Sequence, residues 1–231
     1  MNIWEIFYQQ FVTYEGYITV LEGLRATLII AVCGLLIGFV LGCILAVFKL
    51  LPSKRWYAKI LGWVANIYVA IFRGTPMAVQ LLIAYFVLFP ALHIRVDALV
   101  VAVIAFGMNS GAYVCEIMRG GILSVDKGQM EAGRALGMSY GATMLRIVIP
   151  QAFKNVVPTL GNELITLLKD TSVASFISVV DLTRAFQNIV GTTYEYLIPY
   201  LVLALCYLVL VLIVTLIVRL IERRMRASDR R

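Results

Sequence analysis

The sequence predicts an all-α integral membrane protein with five transmembrane helices, the N-terminus outside, the C-terminus cytoplasmic, and one helical loop on the cytoplasmic side. Three observations carry this. Hydrophobic residues make up 61% of the 231-residue chain and charged residues only 14%, whereas ordinary soluble domains hold about 45–50% and about 25%. The runs from Ala26 to Phe48 and from Tyr196 to Val218 contain no charge, and each is as long as the ~20 residues that cross a bilayer as helix. The basic residues then divide by side. Lys49, Lys54, Arg55, Lys59, Arg119, Lys127, Arg134, Arg146, Lys154, Arg219, Arg223, Arg224, Arg226, Arg230 and Arg231 fall on segments that five crossings place inside, leaving Arg25, Arg73, Arg95, Lys169 and Arg184 elsewhere. The net charge of +7 therefore reads as cytoplasmic loops beside membrane lipid rather than as a nucleic-acid surface. A soluble enzyme is excluded, and the length leaves no room for a soluble catalytic domain beside the spans.

The elements follow in chain order within a single transmembrane domain, 1–231. Residues 1–17 are aromatic and mixed (Trp4, Phe7, Tyr8, Phe11, Tyr14, Tyr17), which predicts a helix lying in the membrane interface. Without a basic leading region, the first span is expected to act as its own insertion signal. That span covers Ala26 to Phe48, entering a turn earlier, and sets Gly34, Gly38 and Gly42 on one smooth face that lets another helix approach closely. A basic loop around Pro52 follows. The stretch from Ile60 to His93 is too long for one uninterrupted crossing, and Arg73-Gly74-Thr75-Pro76 divides it. Proline removes a backbone donor and turns the preceding residue away from helix, so the second span is broken there. An external loop over residues 90–97 leads to a third span from Ala98 to about Met118.

Residues 119–150 are the one long polar stretch, and after Pro150 a polar-studded fourth span runs to about Ser172. An irregular external segment is expected through Tyr194, then the fifth span and a basic tail over residues 219–231. Cys33, Cys43, Cys115 and Cys206 all lie in apolar runs without ligand spacing, so they read as packed thiols. His93 has no metal-ligating companions and reads as a solvated loop residue.

Within the polar stretch, the physics is helix–turn–helix. Ser124 or Asp126 is placed to cap the first helix, Gly137 to take the left-handed residue that closes it, and Ser139 to cap the second. Glu131, Ala132, Gly133, Ala135 and Leu136 lead to that glycine, and the small residues among them offer a surface on which a second protein could dock. Glu131-Ala132-Gly133, three residues, Gly137, nine residues and then Ile147-Val148-Ile149-Pro150 resembles the EAA loop of the permease subunits of bacterial ABC importers. That loop has the form Glu-Ala-Ala, three residues, Gly, nine residues, Ile-x-Leu-Pro. The chain departs from it at Gly133 and Ile149, both mild changes of volume. Further stretches resemble the polar amino acid branch of the family: Phe72-Arg73-Gly74-Thr75-Pro76, Ala112-Tyr113 with Glu116, Arg119-Gly120-Gly121-Ile122, Lys127-Gly128-Gln129, Pro158 with Gly161-Asn162-Glu163, and Leu168-Lys169-Asp170-Thr171-Ser172.

The resemblance implies a subunit of the bacterial inner membrane that works in pairs with a second permease subunit, identical or paralogous. Two ATPase subunits would grip the loop from the cytoplasm and bind the ATP and Mg²⁺, and an external binding protein would deliver a polar amino acid. The chain contains no G-x-x-x-x-G-K-[ST] sequence, so no cofactor is expected in the chain itself and the energy is expected from a partner.

Ionisable groups at membrane depth cost ~2.5–3.5 kcal/mol on insertion scales and so require a reason. Asn109, Tyr113 and Glu116 recur along one helical face, and Asn162, Glu163 and Thr166 lie within about a turn of each other. Two readings stand: they line the substrate pathway, with carboxylates for an ammonium and amides for a carboxylate, or they bond neighbouring helices together. Arg73, with Pro76, is expected at the helix break, there neutralising freed carbonyls or a carboxylate, and Lys169 and Asp170 are expected at the external gate. An ion-coupled carrier or channel for small polar solutes is the alternative function. It would lack an EAA-like loop and show inverted repeats. A membrane-embedded enzyme would need a nucleophile–base pair or paired histidines, and none occurs here.

Overall fold

A computed structural model describes residues 3–51 and 55–228. Pro52, Lys54 and the tail arginines Arg230 and Arg231 lie outside the described residues. Helix α1 (Ile3–Tyr8) continues through a π-helical turn, and the chain reverses at Glu15 (φ 54) into α2 (Gly16–Leu50). The N-terminal segment is not laid loosely on the bundle. Phe7 stacks on Phe11 at 4.9 Å, and Phe11 meets Phe186 at 5.9 Å.

Helix α2 packs along α6 (Ala98–Leu123), which runs five residues past the expected end at Met118. The glycine face makes this contact. A Cβ at Gly34 would meet Phe106, one at Gly38 would stand 2.6 Å from Ser110 Cβ, and one at Gly42 would stand 2.6 Å from Val114 Cβ. Contacts that advance together along both chains mean that the two helices run parallel, as the first and third crossings of an alternating topology must. Ile30, Ala31, Val101, Ala102 and Phe106 fill the central core between them.

The chain between them returns through a broken pair. Helix α3 (Trp56–Gly74) ends at Thr75 in extended backbone (φ −120, ψ 146), and α4 (Met77–Ile83) starts after Pro76, the two axes bent by 106°. This is the break expected from the Thr75-Pro76 step. A π-helical turn carries α4 into α5 (Phe89–Ala91), and Asp97 caps α6 by accepting from Leu99 N at 2.8 Å.

Helices α7 (Lys127–Ala135) and α8 (Tyr140–Thr143) form the polar stretch. Of the two candidate caps, Asp126 takes the role, accepting from Gly128 N at 2.6 Å; Gly137 sits at φ 81, and Ser139 caps α8 by accepting from Ala142 N at 3.2 Å. A π-helical turn joins α8 to α9 (Ile149–Asp170), which runs back beside α6 and meets it closely where Gly121 faces Val156.

The segment from Thr171 to Tyr194 corrects an expectation. It is not irregular: a 3-10 helix covers Thr171–Ile177 and α10 spans Leu182–Thr193. Asp181 caps α10, its carboxylate accepting from Thr183 N and Arg184 N at 3.0 Å, and Leu182, Ala185, Phe186, Ile189 and Val190 are buried at helical spacing. Helix α11 (Leu197–Ser228) closes the chain and touches α9 where Gly161 faces Val218.

Among the described residues, α2, α6 and α11 are long and apolar enough to cross a membrane, and the bent α3–α4 pair makes a fourth candidate. Helix α9, studded with Asn155, Asn162, Glu163, Thr166 and Lys169, is long enough but less apolar. Exposed leucines and valines cover one side of α2 (Leu36, Val40) and much of α11 (Leu201, Leu205, Leu212), as suits surfaces facing lipid or further helices.

Candidate functional site

The polar residues of the membrane region sort into three groups. The first surrounds the helix break. Ending α3 at Gly74 frees its last carbonyls, and amide side chains take them. Gln80 Nε2 donates to Phe72 O (2.8 Å), to Thr75 O (3.0 Å) and to Thr75 Oγ1 (2.8 Å). Asn109, buried on α6, donates to Phe72 O (3.2 Å) and to Gln80 Oε1 (2.9 Å). Asn109 is thus tied to the break, where the two amides engage Phe72 O and Gln80 also Thr75 O, while the Thr75 hydroxyl donates to Ile71 O at 2.8 Å. Gln80 escaped the sequence reading, although a lone amide four residues after a helix-breaking proline was the available signal.

The second group faces the break from α6 and α9. Arg73 is exposed and its guanidinium carbon lies 5.2 Å from the ring centre of Tyr113, a cation–π arrangement. One turn earlier on α6, Ser110 donates to the half-buried Glu163 carboxylate at 3.1 Å. Asn162 is exposed, and its backbone carbonyl accepts from Thr166 Oγ1 at 3.1 Å. Lys169 and Asp170 are exposed at the end of α9 and form no ion pair with each other among the described residues. Arg73 over Tyr113, and Glu163 on Ser110 one turn away, thus set a cation and a carboxylate along one stretch of α6, an arrangement suited to a ligand that carries both charges.

The third group joins α2 to α6. Lys49 Nζ stands 2.5 Å from one oxygen of Glu116, and Arg119 lies 2.8 Å from the other. Asn109, Tyr113 and Glu116 share a helix but go to three different partners. Replacing Glu116 with Gln leaves Lys49, whose side chain is only 13% exposed, without its counter-charge. Unfolding in detergent should then show a loss of about 2 kcal/mol, which Lys49→Met in the same chain should partly restore. An unchanged midpoint in the single variant would contradict the pairing.

Outside these groups, α7 stands at the end of the bundle that carries Lys49 and Arg119. Glu131, Ala132, Ala135, Leu136 and Gly137 are exposed, Leu136 at 82%. Gly133 corrects an expectation: it faces inward, where a Cβ would stand 2.5 Å from Thr143 Cγ2 and 3.1 Å from Ile147 Cδ1. It seats α7 on the following turn and is not part of the exposed surface.

Apolar helices long enough to cross a membrane, one pair broken at a charged step, and a short capped helix at the end that carries Lys49 and Arg119 make the architecture of a multi-span membrane protein. The chain belongs to the family described as binding-protein-dependent transport system inner membrane component, whose model matches residues 34–227. It is 42% identical over 210 residues to the arginine transport system permease protein ArtQ of Bacillus subtilis, covering 91% of this chain and 94% of that one. It is 39% identical over 196 residues to the putative glutamine transport system permease protein GlnP of Rickettsia typhi, covering 85% and 88%. A crystal structure of an amino acid ABC transporter with histidines superposes with a TM-score of 0.84 at 39% identity, over 93% of this chain and 98% of that one.

Proposed function

We propose that this chain is the permease subunit of an ATP-driven importer of polar amino acids in the bacterial cytoplasmic membrane. It crosses five times, with α9 as the fourth crossing, the N-terminus outside and the C-terminus inside. Two permease subunits, identical or paralogous, enclose the pathway between them. ATP and Mg²⁺ are held by separate ATPase subunits, and an external binding protein brings the substrate. The observation that carries this reading is α7: a helix capped at both ends, projecting from the basic end of the bundle with Glu131, Ala132, Ala135 and Leu136 uncovered. Such a surface suits a cytoplasmic partner that pushes on the loop. The relatives named for arginine and glutamine transport point to a substrate with an ammonium and a carboxylate, and Arg73 beside Tyr113 with Glu163 beside Ser110, one turn away on α6, offers a group for each charge.

Reconstitution with a cognate ATPase and binding protein tests the reading: ATP-dependent amino-acid uptake into vesicles is expected, and uptake without ATP would favour a carrier or channel. Within that assay, Glu163→Gln keeps shape and the bond from Ser110 but removes the charge. A charge-assisted hydrogen bond contributes about 1.5–3 kcal/mol, and each ~1.4 kcal/mol is tenfold in affinity. Apparent substrate affinity should weaken by roughly ten- to a hundredfold with basal ATP hydrolysis retained. Unchanged uptake would assign Glu163 to helix packing instead.

A further inference from the structure

The end of α3 is held by hydrogen bonds where packing is thin. Residues 73–76 are all exposed, and a Cβ at Gly74 would meet nothing within 4 Å. A cavity of about 240 Å³, bordered by Phe72, Thr75, Gln80, Ala105 and Met108 among others, lies beside the break. Arg73 stands on this turn, and a long side chain is only as well placed as the backbone that carries it. A helix end whose carbonyls lack partners frays.

Gln80 supplies what packing does not. Thr75 Oγ1 donates to Ile71 O at 2.8 Å, so its proton is committed and it meets Gln80 as an acceptor. Phe72 O, Thr75 O and Thr75 Oγ1 thus surround the Gln80 amide nitrogen at 2.8, 3.0 and 2.8 Å. These acceptors bracket Arg73-Gly74 in the chain. The Gln80 oxygen accepts from Asn109 at 2.9 Å, and Asn109 also reaches Phe72 O. Asn109 and Tyr113 are four residues apart and share a face of α6. That one face therefore holds the carbonyl just before Arg73 and receives its guanidinium over the Tyr113 ring.

We propose that Gln80 is a positioning residue for the substrate: through Phe72 O, Thr75 and Asn109 it locks the helix break against α6 and so aims Arg73 at the carboxylate of the amino acid. Gln80 acts through Arg73 and does not itself touch the ligand. The inference rests on the permease reading above and adds a residue that sets its affinity.

The test is equilibrium binding to the permease–ATPase complex in nanodiscs, with the binding protein left out. The probe is the radiolabelled amino acid that the parent complex takes up in the vesicle assay. Gln80→Met keeps the length of the side chain and removes its donor and acceptor, and it should weaken binding roughly tenfold. Arg73→Gln should weaken it at least as much. The double variant decides between positioning and packing. On the Arg73→Gln background, Gln80→Met should cost no more than about twofold further, because its effect runs through the missing guanidinium. Competition by the decarboxylated amine, which offers Arg73 no anion, should be the same in parent and Gln80→Met. Asn109→Ala removes the second tie to Phe72 O and should follow Gln80→Met in each comparison, which keeps the test open where one variant fails to fold. The thermal midpoint in the same nanodiscs identifies the folded variants. Unchanged binding by folded Gln80→Met, losses that multiply in the double variant, or no saturable binding to a parent complex that transports would each overturn the proposal and leave the permease reading standing. A parent complex that takes up no amino acid would remove that reading, and the proposal with it.

Discussion

Gly38→Leu is expected to prevent the chain from accumulating in folded form. At this position a bare Cβ would already stand 2.6 Å from Ser110 Cβ and 3.0 Å from Gly111 N, a side chain and a backbone atom of α6 together. Backbone does not rotate out of the way, so α2 and α6 must separate along their whole parallel contact. Overpacking a core typically costs about 1–3 kcal/mol when side chains alone adjust. Here the loss should exceed ~3 kcal/mol, a large share of the ~5–15 kcal/mol that holds a domain folded. Ser110 also donates to Glu163 at 3.1 Å, so the glycine that admits Ser110 to the contact also positions the carboxylate proposed to meet the substrate. Gly38→Ala should accordingly weaken transport before it abolishes folding. Leu36→Phe, on the 61%-exposed side of the same helix, should be tolerated. Detergent-solubilised yield and thermal midpoint measure the series, and a Gly38→Leu chain with an unchanged midpoint would refute the packing argument.

Much of this architecture was legible because membrane helices declare themselves by charge-free length and because caps and breaks are local chemistry. The Gly34–Gly38–Gly42 face, the break before Pro76, the Ser139 cap and the left-handed Gly137 each follow from a residue and its immediate neighbours. The rest required knowing what lies across the space. Helix α10 is short and half polar, so its Asp181 cap and its apolar spacing from Leu182 to Val190 stood beneath a composition that suggested a loop. Thr27, fully buried in α2, accepts from Leu182 N at 3.1 Å and fastens that helix to the bundle, a contact across the length of the chain that no local pattern encodes. Asn109 and Glu116 carry the chemistry of a pathway, yet Gln80 with Phe72 O engages the one and Lys49 with Arg119 the other. Gly133 could be recognised as small. Only the position of Thr143 and Ile147 reveals that its smallness serves the inside of the loop.

That inward placement makes the proposed coupling surface testable without confusing docking with folding. Ala132 and Gly133 are neighbours in sequence and point about 100° apart on α7, one exposed and the other against Thr143 and Ile147. Ala132→Trp adds bulk only on the outside. The Asp126 cap, the Gly137 turn and the Ser139 cap are all untouched, so the chain should insert and keep its thermal midpoint. If an ATPase seats on Glu131, Ala132, Ala135 and Leu136, the indole occupies the space its groove needs. Interfaces concentrate their energy in a few well-packed central contacts, and a side chain that cannot be accommodated there should lower ATP-dependent uptake at least tenfold. Substrate-stimulated ATP hydrolysis should fall with it, through loss of association or of transmission. Leu136→Asp should act in the same direction by removing an apolar anchor that is 82% exposed in the chain alone. Gly133→Leu should behave otherwise, loosening α7 from the following turn and lowering the midpoint of the permease even with no ATPase present. Uptake in reconstituted vesicles, co-purification of the ATPase and the midpoint of the isolated chain together separate these outcomes. Normal uptake by Ala132→Trp would remove α7 as the point of contact, whereas a lowered midpoint in that variant would place Ala132 in the packing of the loop beside Gly133.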